Sequence, residues 1–147
     1  MSSSDAAQVP NVSVEETWER LQHDEKAVLV DVRTKAEWAF VGLPDLTSAG
    51  KRPLLVEWQS FPDNRIDPAL VERLEQALAV VEADHDTELL FLCRSGGRSL
   101  MAARAMAARG YRRCRNVADG FEGPLDPDRH RGRLGGWKAK GLPWTQG

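Results

Sequence analysis

The chain has 147 residues, 41% of them apolar, and a formal charge of −2 at neutral pH. That length makes one domain, able to bury about two-thirds of the surface its unfolded form exposes. The near-neutral balance argues against nucleic acid as a partner, and no stretch approaches the roughly 20 apolar residues that span a bilayer, so no membrane partner is expected.

Residues 1–10 are small and polar, without an apolar core of signal-peptide length, and are expected to form a flexible leading segment. Ser13 and Glu16 form a capping-box pattern, and Val14, Trp18 and Leu21 follow at helical spacing, which predicts a helix over 14–22. Residues 27–32 are a continuous apolar run broken only by Asp31, the pattern of a parallel strand buried on both faces. Residues 37–40 read as a helical turn ended by Gly42 and Pro44, and 53–58 as a further strand. Asp67 before Pro68 starts a helix, whose apolar face (Leu70, Val71, Leu74, Leu78, Val81) runs to about residue 83.

The apolar run Leu89, Leu90, Phe91, Leu92 is the next strand and delivers Cys93 to a tight loop. Gly96 and Gly97 are expected to bend that loop. An alanine-rich helix then runs from about Arg98 to Arg109, with Gly110 closing it at the C′ position. Residues 115–118 form a last short strand before Asp119-Gly120. Strands alternating with helices through short loops predict an α/β fold, a mainly parallel central sheet of about five strands flanked by helices. The domain is placed at 11–125. Residues 126–147 are read as a C-terminal extension that Trp137 and Trp144 anchor to the body.

Cys93 sits at the carboxyl end of its strand, where open α/β sheets bind ligands. Strand, thiol, glycine turn and helix N-terminus together suit a sulfur nucleophile that handles an anion, because loop amides and the helix dipole point at one place. Arg94 and Arg98 add full charges, which favour the reactive thiolate. From Cys93 to Ala118 there are seven arginines (94, 98, 104, 109, 112, 113, 115) and no acidic residue, a basic surface expected around the nucleophile. Cys114, in Arg-Arg-Cys-Arg-Asn-Val, reads as a buried structural cysteine. His23, His85 and His130 lie in separate segments without metal-ligand spacing, so neither metal nor cofactor is expected. A thiol that must stay reduced points to a reducing compartment, the cytoplasm.

The chain resembles the rhodanese-like (sulfurtransferase) domain family. The matching pieces are Asp31-Val32-Arg33 after a buried strand, Glu37-Trp38, and the loop Cys93-Arg94-Ser95-Gly96-Gly97-Arg98-Ser99. Gly110-Tyr111, Asn116-Val117 and Gly120-Phe121-Glu122-Gly123 follow, in family order over roughly residues 11–125. Two departures bear on substrate access and partner choice: Val41-Gly42-Leu43-Pro44 stands where the family usually has Gly-His-Ile-Pro, and residues 45–63 are longer than is common.

The resemblance implies that a Cys93 thiolate takes the outer sulfur of a donor such as thiosulfate as a persulfide. A thiophilic acceptor (cyanide, a thiol or a sulfur-carrier protein) then removes it. The amides of Arg94 to Ser99 would hold the charge, as an oxyanion hole does. Arg94 and Arg98 are candidates for the donor's oxyanion, or Arg98 pairs with Glu37 or Asp31. Ser95 and Ser99 hydroxyls hydrogen-bond or cap, capping being the expectation for Ser99. Asp31, Arg33 and Glu37 are read as support for the loop. The rival enzyme class is a cysteine phosphatase or arsenate reductase. Phosphatase loops place five residues between Cys and Arg where this chain has four, and commonly carry His where Leu92 stands. A binding or regulatory module that keeps the fold without turnover is the rival of a different class.

Overall fold

The helix starts at Ser13 and Asp67 and the buried strands follow from local patterns, and the computed structural model, which describes residues 9–58 and 67–146, shows how they assemble. In chain order the elements are β1 (Asn11–Val12), α1 (Val14–His23), β2 (Val28–Asp31), α2 (Lys35–Phe40), β3 (Leu43–Pro44) and β4 (Leu54–Leu55). There follow α3 (Pro68–Val80), β5 (Glu88–Leu92), α4 (Gly97–Ala108), β6 (Arg113–Val117) and β7 (Trp144–Thr145). Helix α1 begins at a closed capping box: the Ser13 hydroxyl accepts the Glu16 amide at 3.0 Å and the Glu16 carboxylate accepts the Ser13 amide at 3.3 Å. Thr34 and Glu37 repeat the device at α2. The Asp67 carboxylate accepts the Ala69 amide at 3.0 Å, with Pro68 at the first helical position, and starts α3.

Five strands form one sheet in the order β1-β6-β5-β2-β4, every pair parallel. Strand β5 lies at its centre, and all five of its residues are buried. Its side chains alternate between two cores. Leu89 and Phe91 face Leu70, Leu74 and Leu78 of α3 and Ala102, Ala103 and Met106 of α4. Leu90 and Leu92 face Leu21 of α1, Phe121 and Trp137. Helices on both faces are why the strand carries no polar alternation. Glu88, buried at its start, is held by Arg20 and, at 3.2 Å, by Arg115.

Several boundaries differ from the sequence expectation. Helix α3 stops at Val80 and the chain leaves through Glu82 at φ 61°, although the apolar spacing continues to residue 83. The strand expected over 53–58 is reduced to β4, the two residues that pair with β2. The last sheet strand is 113–117 rather than 115–118. Strands β1, β3 and β7 and a 3-10 turn at Thr47–Ala49 carry no periodic signal, since two-residue strands exist only through their partners.

The tail lies against the body. Strand β7 pairs antiparallel with β3, and the fully buried Trp137 donates from its amide to Gly120 O at 2.9 Å and from Nε1 to Pro143 O at 2.6 Å. Its ring meets Trp18 edge-on at 5.9 Å. The segment expected to be flexible (1–10) and the longer stretch (45–63) lie partly outside the described residues. Among the described residues no helix is long and apolar enough to cross a membrane, and no group of three or more His, Cys, Asp or Glu is placed to hold a metal ion.

Candidate active site

Where β5 ends, the Val32 amide donates to Leu92 O at 2.9 Å, and Cys93 leaves the sheet on the carboxyl side. The loop that follows is held from outside by residues 120–123. The Phe121 amide donates to Cys93 O at 2.8 Å, and the Glu122 and Gly123 amides donate to Arg94 O at 3.0 and 3.2 Å. Gly120, at φ 68°, leaves room for that approach: a Cβ there would stand 2.5 Å from Arg94 O.

The sharp bend belongs to Gly96 alone. It has φ 103° and its Cα lies against Ala118 O, where a Cβ would collide. Gly97, expected to share the bend, is instead the first residue of α4, and a Cβ there would meet nothing within 4 Å. Helix α4 therefore starts one residue earlier than expected, with Gly96 as N-cap and no side-chain cap. The amides of Gly97, Arg98 and Ser99 are the helix's first and have no carbonyl a turn behind them. They bring a partial positive charge to the cysteine.

The sulfur sits inside this turn. Gly96 N donates to Cys93 Sγ at 3.1 Å, Sγ contacts Ser99 Oγ at 3.2 Å, and Cys93 is 1% exposed. Ser99 does not cap the helix: its hydroxyl donates to Asn116 Oδ1 at 2.6 Å and its oxygen faces the sulfur. Ser95 is half-buried in the loop. The Arg94 side chain is exposed and forms no hydrogen bond or ion pair among the described residues.

Arg98 turns away from the loop. Its two terminal nitrogens reach both oxygens of Glu37 at 2.8 and 2.9 Å, a bidentate pair tying α4 to α2; no bond to Asp31 forms. Burial raises the Glu37 carboxyl, but the Arg98 hydrogen bonds and charge, with Thr34, outweigh it and hold it below the usual carboxylate range. The same bonds raise Arg98, against its own desolvation.

Asp31 and Arg33 form a wholly buried ion pair, Nε to Oδ1 at 3.0 Å and Nη2 to Oδ2 at 2.7 Å. Nη2 also donates to Gly42 O at 2.9 Å, and the guanidinium lies 4.3 Å over the Phe121 ring. Phe121 in turn holds Cys93 O, so the pair reaches the loop through an aromatic ring and a peptide bond. Arg33 Nη1 has no partner among the described residues.

The arginine-rich stretch does not surround the sulfur. Arg109 pairs with Glu75 at 2.6 Å, Arg112 with Asp86 at 2.6 Å, Arg115 with Glu88, and Arg113 donates to Asp86 O at 3.2 Å. Arg113 begins β6, level with Glu88 at the amino-terminal end of the parallel strands, opposite Cys93. Cys114 is buried in the α3–α4 core with Sγ 3.6 Å from Tyr111 O, and burial pushes its thiol up to about 12, eased slightly by Arg115.

Two participants, Asn116 and Phe121, carry no sequence expectation of a role, and Trp144, expected only to anchor the tail, joins them. Asn116 binds Ser99, Gly96 O and Asn11 together; Phe121 bridges Arg33 and Cys93; Trp144 packs on Phe121 at 6.4 Å and under Lys138 at 4.0 Å. The available signal for Asn116 was its place in the family-pattern pair Asn116-Val117.

A cysteine delivered by the central strand of a five-stranded parallel sheet into a glycine turn, with a helix N-terminus behind it, defines a rhodanese-like domain. The chain belongs to the family described as STR4 middle domain, whose model matches residues 10–147 and so takes in the tail. It is 37% identical over 138 residues to "Uncharacterized protein RP600" of Rickettsia prowazekii, covering 92% of this chain and 97% of that one. The crystal structure of Rv0390 from M. tuberculosis superposes with a TM-score of 0.80 at 42% identity, over 95% of this chain and 98% of the other. The thiosulfate:glutathione sulfurtransferase of Saccharomyces cerevisiae is 32% identical over 91 residues, 61% of this chain and 58% of that protein. The chain is thus related to sulfurtransferases.

Proposed function

We propose that the protein transfers a sulfane sulfur through a persulfide on Cys93. The observation that carries this reading is the Gly96 amide donating to Sγ at 3.1 Å at the start of α4. A sulfur anion there gains a fixed donor and the helix's free amides without rearranging the backbone. With thiosulfate as donor, the Cys93 thiolate attacks the outer sulfur. A new S–S bond forms, the bond to the sulfonate sulfur breaks, and sulfite leaves with its electron pair. Cyanide or a thiolate, free or on a carrier protein, then attacks the outer sulfur, and Cys93 departs as thiolate. Charge balances in both halves, so no metal or redox cofactor is required.

Arg94, exposed and uncommitted, is the cation suited to the donor's sulfonate. Arg98, engaged by Glu37, instead fixes the start of α4. Asp31 and Arg33 support the loop through Phe121. Four residues between Cys93 and Arg98, one fewer than in phosphatase loops, favour an anion smaller than phosphate. The yeast relative, named for transfer from thiosulfate to glutathione, supports the reading of a small anionic donor and a thiol acceptor. A thiol kept ready for this chemistry fits a reducing compartment such as the cytoplasm.

The 1% exposure of Cys93 favours a second reading, a module that keeps the fold and does not turn over. Intact mass separates the two. Exposure to thiosulfate should add one sulfur, about 32 Da, lost with reductant and absent in Cys93→Ser. No mass gain would leave the non-catalytic module standing.

A further inference from the structure

Behind the sulfur lies a buried polar chain, Asn11–Asn116–Ser99–Cys93. Asn116 Nδ2 donates to Asn11 Oδ1 at 3.0 Å and to Gly96 O at 3.2 Å, and Asn116 Oδ1 is 2.6 Å from Ser99 Oγ. A peptide carbonyl only accepts, so Gly96 O settles which end of the Asn116 amide is nitrogen. The oxygen must therefore face Ser99, and Ser99 must donate to it. A hydroxyl has one proton. Ser99 has given its proton to Asn116 and turns a lone pair toward Sγ at 3.2 Å, so the contact is favourable only while sulfur supplies the proton as S–H.

We infer that Ser99 and Asn116 form a hydroxyl switch beneath Cys93: Ser99 donates to Asn116 while the cysteine is a thiol and turns its proton to the sulfur once that proton is gone. Two protons serve two contacts in the thiol. The thiolate has one proton for the same two contacts, and so does the persulfide, whose Sγ carries sulfur in place of hydrogen. A lone pair held against an anion is repulsive, so the hydroxyl rotates and Asn116 Oδ1 gives up its partner. Asn116 is 3% exposed, with no bulk water to replace what it loses. It therefore competes with the sulfur for one proton and sets how strongly the site holds a sulfur anion. Ser99 touches the reacting atom; Asn116 acts through it, as a positioning residue. The persulfide half of this inference rests on the sulfur-transfer reading, and the thiol–thiolate half does not.

The test is a double-mutant cycle read by alkylation of Cys93 with iodoacetamide at fixed neutral pH, which needs no sulfur donor. Ser99→Ala should slow alkylation by about tenfold, the loss expected for one hydrogen bond to an anion. Asn116→Ala should raise the rate at least about threefold while Ser99 is present, and should give no rise in the Ser99→Ala background. The same factor in both backgrounds would overturn the switch, as would wild-type alkylation in Ser99→Ala. Infrared spectroscopy gives a second measurement that does not depend on Asn116→Ala folding. The Cys93 S–H band should lie at lower frequency in wild type than in Ser99→Ala, with the Cys114 band unmoved. A Cys93 band unchanged by the substitution would show that sulfur never donates to Ser99. Failure of thiosulfate to load Cys93, with the cycle and the band as expected, would remove the sulfur-transfer reading and leave the switch.

Discussion

Glu37→Gln removes one charge from the bidentate pair between α2 and α4 while keeping the size of the side chain. In the native protein the Arg98 and Glu37 side chains are 26% and 19% exposed. The pair is neither open to water, where ion pairs contribute about 0.2–1 kcal/mol, nor sealed, where breaking one costs about 3–5 kcal/mol. A loss of about 1–2 kcal/mol is expected, or a drop of roughly 3–8 °C in melting temperature for a domain of this size. The pH dependence gives the sharper check. Glu37 is held below its ordinary value of 4.5, so its contribution is fully present above that pH. It is lost as pH falls through the depressed folded value. Thermal denaturation of both proteins from neutral pH downward should therefore show a constant gap at pH 6–7 that narrows below about 4. Equal melting temperatures at neutral pH, or a gap that persists unchanged into acid, would refute the pairing as a source of stability.

The two loop glycines should behave oppositely. Gly96→Ala combines φ 103° with collision against Ala118 O and should destabilise by about 3 kcal/mol or more, whereas Gly97→Ala, facing open space at the start of a helix, should stay within about 1 kcal/mol; denaturant unfolding measures both. Cys93→Ala should abolish thiocyanate formation from thiosulfate and cyanide. Cys114→Ala should leave it nearly intact, and Cys114, its thiol pushed up to about 12, should resist alkylation in the native protein at neutral pH. Equal losses of turnover would assign the chemistry to the wrong thiol. Arg94→Ala should raise KM for thiosulfate by about tenfold, the scale of one lost charge-assisted bond. Its melting temperature should not move, because the side chain holds nothing in the fold. A lower melting temperature with unchanged KM would make Arg94 structural.

Much of this architecture is legible in local pattern because the causes are local. The capping box at Ser13, the Asp67-Pro68 helix start and the apolar run Leu89, Leu90, Phe91, Leu92 of β5 act within a few residues, and such signals survive into the fold. The strand–cysteine–glycine–helix order likewise marks the loop. What pattern overstated was the basic character of the site. Arginines at 109, 112, 113 and 115 are close to Cys93 in sequence, but α4 and β6 carry them away, three to carboxylates elsewhere and Arg113 to the main-chain carbonyl of Asp86. What it could not contain were strands β1, β3 and β7, whose hydrogen bonds reach across the chain.

The amino-acid sequence by itself determined the alternation of strands and helices and which thiol lies at a glycine turn, because propensity, burial pattern and capping are properties of neighbouring residues. The tertiary structure decided which distant partner each polar group takes: Arg98 with Glu37, Arg33 with Phe121, Ser99 with Asn116, Asn116 with Asn11. Those choices depend on distances between segments up to 105 residues apart, as Asn11 and Asn116 are. A side chain's hydrogen-bond partner is set by what packing brings within about 3 Å, which no local spacing encodes.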